Sequence, residues 1–330
     1  MGKNAMVFRL GHRLLVHRII EPLWMIRALC MGAIILLAIS SAWAQTLADT
    51  RQALLQHLEA GRLQEAVSLG EKAAAQWPDD GDIHHWLGLA YFKSGALQPA
   101  REQLEQARDL NRKDAAICFD LALVYLSQPD YVAAADALEA SVKIAPSNPL
   151  AHVLLGRSYL NSNRSMQAIE EFKTALRIDP ELKLGHYHLG FAYASLGQND
   201  EAVVEYKTEL KKSGEHPEVV YQLGRSLLES GKHSEAIGYL RRASELAPDN
   251  PDVWYNLGKA QVLAGHSAQA EVSLRRAIEL KPDDPSPHYQ LARALEKLGK
   301  PDDAKAERAR FAELKKLQRA TAGMATARDQ

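Results

Sequence analysis

The stretch PDVWYNLGKAQVLAGHSAQAEVSLRRAIELKPDD, residues 251–284, contains one full copy of the pattern that decides the fold of this chain. Its central alanine, Ala270, belongs to a series in which alanine recurs every 34 residues. The series is Ala66, Ala100, Ala134, Ala168, Ala202, Ala236, Ala270 and Ala304. Eight occurrences at one fixed spacing indicate an internal repeat.

Other residue types recur in the same phase. A leucine at the seventh place of a block precedes a small residue at the eighth, as Leu257 and Gly258 do, and a glycine such as Gly265 stands at the fifteenth. Proline recurs near the end of a block, as at Pro282. The first block has Ala53 in place of the leucine and is either an atypical N-terminal cap or a degenerate repeat. The eight blocks are 47–80, 81–114, 115–148, 149–182, 183–216, 217–250, 251–284 and 285–318.

Each recurring position has a physical reason. The apolar residues in the first half of a block recur at helical spacing, as Val220, Leu223 and Leu227 do. This spacing predicts an amphipathic helix. The glycine ends that helix, because a left-handed residue at this point carries no steric penalty in glycine. The alanine follows early in a second helix, where a larger side chain would hold the two helices apart. Each block is therefore predicted to be a helical hairpin that stacks on its neighbours to bury a continuous core.

The pattern resembles the tetratricopeptide repeat (TPR) family. That family has small residues at the eighth and twentieth places, an aromatic residue near the eleventh, as at Tyr159, a bulky residue at the twenty-fourth, as at Phe172, and proline near the thirty-second. The resemblance covers residues 47–318. It implies an all-α fold, a right-handed α-solenoid of stacked helix-turn-helix hairpins in which the first helices line a concave surface.

Residues 1–44 lie outside the repeat and have the pattern of a secretory signal peptide. An apolar run at 28–39 is followed by Ser-Ser-Ala-Trp-Ala, which predicts cleavage between Ala44 and Gln45. Initiation at Met25 instead of Met1 would give a more compact signal. The alternative is an uncleaved inner-membrane anchor, although the run is shorter than the roughly 20 residues that a spanning helix needs. The expected location is periplasmic or secreted. The basic residues that precede the run are Lys3, Arg9, Arg13, Arg18 and Arg27.

The charge and the cysteines exclude some classes of function. Residues 1–44 hold five of the 40 Lys+Arg and one of the 41 Asp+Glu, which leaves 35 against 40 and a net charge of −5. Such a balance is not typical of nucleic-acid binding. Cys118 is the one cysteine after residue 44, and its place in a helix predicts a buried free thiol. The small, polar residues 319–330 predict a disordered tail.

We expect no enzyme and no cofactor. The sequence contains no phosphate loop, dinucleotide fingerprint, nucleophile elbow or paired-histidine zinc helix. Eight repeats account for 272 of the 286 residues after Ala44, which leaves no space for a catalytic domain there.

A column of histidines at the fourth place of four blocks invites a metal hypothesis. Equivalent residues of stacked helices are about 10 Å apart, whereas the ligands of one ion each lie about 2 Å from it. The column is therefore predicted to be half-buried between neighbouring hairpins and to bind no metal, with pH sensing as the alternative. It consists of His84, His152, His186 and His288.

The resemblance implies that the fifth, sixth and ninth places face the concave surface. There, tyrosines would supply contact area, amides would bond a peptide backbone and cations would attract acidic groups. We therefore expect a protein or extended-peptide partner with acidic groups, although Glu218 and Asp252 are alternative partners for the cations. The candidate residues are Tyr187, Tyr221, Gln222, Arg225, Tyr255, Asn256, Lys259, Tyr289, Gln290 and Arg293.

Block 183–216 departs from the repeat near its end. It has Glu209 where alanine is usual and Gly214 where proline is usual. A polar residue in a core position predicts looser packing, and hence a flexible joint at 205–220 between 47–210 and 217–318.

Together these features predict a non-catalytic, exported TPR scaffold that binds a protein or peptide in its concave groove. The alternative is a cell-envelope assembly factor or chaperone-like adaptor for outer-membrane, pilus or cell-wall biogenesis. A membrane is an expected partner only if the N-terminal segment is not cleaved.

Overall fold

The computed structural model describes residues 45–328, and it describes side chains from 45 to 321. The predicted signal peptide, its cleavage site and the alternative start at Met25 involve residues 1–44, which lie outside this range. Within it the chain forms sixteen α-helices and no strand. The helices are α1 (45–59), α2 (Leu63–Gln76), α3 (Gly81–Lys93), α4 (Leu97–Leu110), α5 (Ala115–Ser127), α6 (Tyr131–Ile144), α7 (Pro149–Asn161), α8 (Ser165–Ile178), α9 (Gly185–Ser195), α10 (Asn199–Ser213), α11 (Pro217–Glu229), α12 (His233–Leu246), α13 (Pro251–Leu263), α14 (Ser267–Leu280), α15 (Pro285–Lys297) and α16 (Pro301–Arg328).

Two consecutive helices make up each 34-residue block, the odd-numbered helix first and the even-numbered helix second. Block 251–284, for example, contains α13 and α14, which pack against each other, and α14 then packs against α15 of the next block. This arrangement confirms the prediction of an all-α solenoid of stacked helical hairpins.

The contacts between Cα atoms divide the chain into two compact units. The first ends at Val124 and the second begins at Tyr125, so the division lies within α5. It does not lie at 205–220, where the sequence predicted a joint.

The recurring alanine marks the close approach of the two helices in a hairpin. All eight alanines of the series are at most 1% exposed. The small residue at the eighth place has the same cause, because a Cβ atom added to Gly258 would lie 2.5 Å from Cγ of Leu274 on the partner helix. A side chain at this position would therefore separate α13 from α14.

The sequence also specifies where helices begin and end. Gly265, after α13, has a φ of 82°, and Asn163 occupies the equivalent place after α7 with a φ of 60°. Asp80 and Asn148, each the last residue of a block, accept hydrogen bonds from backbone N–H groups at the start of α3 and α7. These side chains satisfy donors that a helix leaves unpaired at its first turn.

Glu209 does not loosen the packing as the sequence predicted. Its side chain is 1% exposed, and its carboxylate accepts hydrogen bonds from the backbone N–H of Leu184 (3.1 Å), the backbone N–H of Tyr187 (3.4 Å) and Oγ of Ser213 (2.5 Å). Leu184 is the residue before α9 and has no side chain that can cap this helix. Glu209 of α10 therefore supplies the missing cap and ties α9 to α10.

The C-terminal end also differs from the prediction. The structure continues α16 as far as Arg328 instead of leaving 319–328 disordered. Alanine has the highest helix propensity, and residues 319–328 include four alanines. This composition accounts for a helix that extends beyond the last repeat.

Candidate partner-binding site

The first helices of the second unit form one continuous layer. α7, α9, α11, α13 and α15 each contact the next helix in this series. Because the fifth and ninth places are four residues apart, their side chains share one face of each helix. We call the surface formed by these places the first-helix face. Its fifth places are Val153, Tyr187, Tyr221, Tyr255 and Tyr289, and its ninth places are Arg157, Phe191, Arg225, Lys259 and Arg293.

The four candidate tyrosines lie on this face and remain partly open to solvent. Tyr289 is 46% exposed, and its ring centroid lies 5.5 Å from that of Phe311 in α16. Tyr187, Tyr221 and Tyr255 are half-buried. The tyrosines are therefore accessible enough to offer aromatic contact area to a partner.

The three candidate amides point inward. Gln222, Asn256 and Gln290 are buried, with exposures between 5% and 8%. Nδ2 of Asn256 donates to the hydroxyl of Tyr221 (3.0 Å) and to the carbonyl of Asp252 (2.8 Å). Because these side chains are buried and make internal contacts, they are not placed to bond the backbone of a peptide as the sequence predicted.

Internal hydrogen bonds of the same kind hold the other two amides. Nε2 of Gln222 donates to Glu218 (2.7 Å), and Oε1 of Gln290 accepts from Arg293 (3.0 Å). The amides thus fix the side chains around them and define the shape of the face.

The cations of the ninth places fall into two groups. Nζ of Lys259 pairs with Glu229 at 2.7 Å, and Arg293 is held by Gln290. Arg225 and Arg157, by contrast, have no hydrogen bond or ion pair from their guanidinium groups to any residue within 45–321. The predicted alternative of pairing with Glu218 and Asp252 is not observed, and the acid that does pair, Glu229, was not identified from the sequence.

An aromatic cluster surrounds Tyr187 on the first-helix face. Its ring centroid lies 5.3 Å from that of His188, 6.3 Å from Phe191 and 6.0 Å from Tyr206. Phe191 is 37% exposed and Tyr206 is fully buried. The hydroxyl of Tyr206 has no hydrogen-bond partner among the described residues.

The charges near this cluster shift the pKa values of its titratable groups. Burial raises the pKa of Tyr187, as does the nearby carboxylate of Glu218, while Arg157 and Arg225 act in the opposite direction. Burial, with a smaller contribution from Arg157, lowers the pKa of His188 to about 4. His188 is therefore neutral at physiological pH, and the positive charge of the cluster comes from the two arginines.

Sequence reasoning recognised only part of this cluster. Tyr206 stands at the twenty-fourth place, where the family has a bulky residue, and His188 stands at the sixth place, where Gln222 and Asn256 stand in later blocks. Both were visible in the repeat alignment, but their proximity to Tyr187 depends on how α9 packs against α10.

The histidine column contacts the second helix of its own hairpin, and His84 and His152 also contact the preceding hairpin through the carbonyls of Pro78 (2.9 Å) and Pro146 (3.0 Å), so only the latter contacts are the packing between hairpins that was predicted. In each of the four blocks, Nδ1 of the histidine is within hydrogen-bond distance of a side chain 19 residues later, for example 2.6 Å for His152 and Glu171. Within the part of the chain that the structure describes, no three His, Cys, Asp or Glu side chains are grouped to hold a metal ion. Cys118 is a buried free thiol, as expected, and burial raises its pKa.

Comparison with known families agrees with the hairpin geometry. Models of the tetratricopeptide repeat match residues 57–124, 221–285 and 273–306, and a further TPR repeat model matches 156–197. Together the matches span more than half of the chain. The chain belongs to the tetratricopeptide repeat family. A comparison with curated protein sequences found no match.

Solved structures resemble this TPR protein in fold. A tetratricopeptide repeat protein from Parabacteroides merdae ATCC 43184 matches with a TM-score of 0.53 at 14% identity, over 76% of this chain and 99% of that chain. MamA from Desulfovibrio magneticus RS-1 matches with a TM-score of 0.50 at 21% identity, over 52% and 96% of the two chains. The Cut9 and Hcn1 assembly of APC/C matches with a TM-score of 0.51 at 14% identity, over 73% and 48%. These likenesses concern the fold alone.

Between residues 45 and 328, no helix of this TPR protein combines the length and the apolar character needed to cross a bilayer.

Proposed function

We propose that this TPR protein is an interaction scaffold that binds an extended segment of a partner protein on its first-helix face. The observation that carries the proposal is a row of partly exposed aromatic side chains beside cations, running from Phe191 on α9 to Tyr289 on α15. Aromatic residues and arginine are enriched at protein interfaces, because they bury large areas and form directional polar contacts.

The scaffold acts without catalysis and without a cofactor in this proposal. The eight repeats account for residues 47–318, and the large shifts in the pKa values of His188 and Tyr206 come first from their burial among packed helices. The partner is therefore expected to be held and presented rather than chemically changed.

We further propose that the protein is exported and works in the periplasm or outside the cell. Support comes from the sequence of residues 1–44, with its basic segment, apolar run and Ala-Trp-Ala end. Mass determination of the native protein tests this proposal. A mature chain that begins at Gln45 supports export with cleavage, and a chain that retains 28–44 refutes cleavage.

A second candidate function is a cell-envelope adaptor that remains anchored and recruits an assembly machine. The observation that favours it is the basic segment preceding the apolar run at 28–39, which would also suit a membrane-inserted segment with its basic end in the cytoplasm. Retention of residues 28–44 in membrane fractions would favour this function over the soluble scaffold.

Site-specific photo-cross-linking in cells tests the scaffold proposal. Tyr289→p-benzoylphenylalanine places a reactive group on the first-helix face, and Met166→p-benzoylphenylalanine is the control, because Met166 is 74% exposed on the second helix α8. We expect a discrete protein adduct from position 289 and none, or a much weaker one, from position 166. Equal adducts from both positions, or an adduct from position 166 alone, would contradict the proposal.

A further inference from the structure

Two ninth-place cations, Arg157 and Arg225, have no hydrogen bond or ion pair from their guanidinium groups within 45–321, and they stand on either side of one aromatic surface. They belong to α7 and α11, and the helix between them, α9, presents Phe191 at its ninth place. Arg157 is exposed and Arg225 is half-buried. The order along the first-helix face is therefore cation, aromatic residue, cation.

Glu218 and Glu209 are acids near this surface, and neither forms an ion pair with Arg157 or Arg225. Glu218 accepts from Gln222 at 2.7 Å, and Glu209 accepts from the backbone at the start of α9. Lys259, one hairpin further along, differs from Arg157 and Arg225 because Glu229 pairs with it. Within residues 45–321, Arg157 and Arg225 thus lack both the ion pair that Lys259 forms and the hydrogen bond by which Gln290 holds Arg293.

Its apolar part is also open. Phe191 is 37% exposed, and the half-buried ring of Tyr187 lies 6.3 Å from it between centroids. A partly exposed aromatic pair, flanked by guanidinium groups without an ion pair in the described part of the chain, fits a ligand with the reverse arrangement, an apolar side chain flanked by carboxylates.

We propose that this part of the first-helix face binds a partner segment in which one bulky apolar side chain stands between two acidic side chains. The inference rests on the proposed scaffold function and names the chemistry of its partner. Phe191 and Tyr187 contact the apolar side chain, while Arg157 and Arg225 each bind one carboxylate.

The geometry of the repeat sets the spacing of the two acids. Equivalent residues of stacked helices are about 10 Å apart, so Arg157 and Arg225, two hairpins apart, are separated by about 20 Å, the length of about six extended residues. Because arginine side chains can lean toward the centre, acids about four to six residues apart fit the site.

The site also differs from the predicted one, since its centre lies on α7, α9 and α11 rather than on α11, α13 and α15.

A defined peptide tests the inference. The probe is fluorescein-Ser-Asp-Ser-Phe-Ser-Ser-Asp-Ser-amide, and its binding to the chain that begins at Gln45 is followed by fluorescence anisotropy at low ionic strength. We expect Arg157→Gln and Arg225→Gln each to weaken binding about fivefold or more, and Phe191→Ala to weaken it similarly. Replacing both Asp of the peptide by Asn, or its Phe by Ala, should weaken binding to the unsubstituted protein by the same order.

Two control variants separate local recognition from general charge attraction. Arg241→Gln removes an exposed cation from the second helix α12, and Arg177→Gln removes an exposed cation from the second helix α8. Both should change binding less than about twofold, since charges at the edge of or outside an interface contribute little. The inference is overturned if the peptide fails to bind, if its Asn version binds equally well, or if the control variants weaken binding as much as Arg157→Gln and Arg225→Gln do.

The same variants distinguish failure of this inference from failure of the scaffold function. If cross-linking from position 289 persists at full yield in the Arg157→Gln, Arg225→Gln double variant, the scaffold function stands and the acidic-segment inference fails. If the adduct is lost in the double variant while circular dichroism shows intact helices, both are supported.

Discussion

Removing the carboxylate of Glu209 should destabilise the junction of α9 and α10. In Glu209→Ala, the backbone N–H groups of Leu184 and Tyr187 lose their acceptor, as does the hydroxyl of Ser213. Alanine is also the residue that is usual at this place of the repeat, so a role for glutamate in packing alone would predict that the substitution is harmless. The capping role predicts the opposite.

The magnitude follows from the hydrogen bonds that are lost. Hydrogen bonds to charged groups contribute about 1.5–3 kcal/mol, and replacing a helix cap by alanine costs about 1 kcal/mol. The two backbone donors are partly buried, so water can replace part of the carboxylate's contribution. We therefore expect Glu209→Ala to lower the free energy of unfolding by about 2 kcal/mol and Glu209→Gln, which keeps one carbonyl acceptor, by about 1 kcal/mol.

Urea denaturation followed by circular dichroism measures these differences. Glu201→Ala is the matched control, because Glu201 is an exposed acid of the same helix, and it should cost less than about 1 kcal/mol. Hydrogen exchange locates the effect, which should appear as faster exchange at Leu184 and Tyr187. Unchanged stability and unchanged exchange at these two amides would refute the capping argument. Exchange in the unsubstituted protein also tests the predicted joint, since protection of 205–220 equal to that of neighbouring helices would reject it.

Three further substitutions probe the helix spacing and the aromatic cluster. Gly238→Ala should stabilise the protein by about 0.5–1 kcal/mol, because an added Cβ meets no atom within 4 Å and glycine weakens a helix interior. Gly258→Ala should destabilise it by about 1 kcal/mol, because the added Cβ would lie 2.5 Å from Leu274 and overpacking outweighs the gain in helix propensity; urea denaturation that gives the two variants the same sign would contradict this reasoning. His188→Phe keeps a ring stacked near Phe172 but removes a group whose pKa is lowered from 6.5 to about 4. As pH falls, His188 becomes protonated in the unfolded chain at a higher pH than in the folded protein. The unsubstituted protein should therefore lose up to about 3 kcal/mol of its free energy of unfolding through this group between about pH 6.5 and about pH 4, and the variant should lose correspondingly less. Parallel curves of stability against pH for the two proteins over this range would contradict the prediction.

The repeat pattern predicted the framework because one physical requirement recurs in every block. The close approach of two helices allows only a small residue at Ala270 and Gly258, and the turn between them favours a residue such as Gly265 that adopts positive φ. These requirements act between residues at most about twenty positions apart, so they leave a periodic signal in the sequence. The hairpins and their stacking could therefore be derived before the structure.

The cross-helix polar contacts could not be derived in the same way. Lys259 pairs with Glu229, 30 residues earlier, and Glu209 caps a helix that begins 24 residues before it. Each contact depends on the rotamer of a long side chain and occurs at only one place in the solenoid, so no column of the repeat reports it. For this reason, equal roles were predicted for Arg225, Lys259 and Arg293, although their contacts in the structure differ. For the same reason, the buried cap Glu209 was predicted to loosen the packing.

Departures from the repeat are a guide to function only after their internal partners are known. Glu209 departs from the repeat pattern, but its carboxylate accepts three hydrogen bonds within the protein, so a structural role is enough to explain it. Arg157 and Arg225 also depart from the repeat pattern, because they place a charge at the ninth place on the first-helix face. Their guanidinium groups, however, have no hydrogen bond or ion pair within 45–321. A stable domain has no need of an uncompensated cation beside an exposed aromatic ring, since surface charges contribute little to stability. The partner must therefore be sought by the chemistry that Arg157, Phe191 and Arg225 leave unsatisfied.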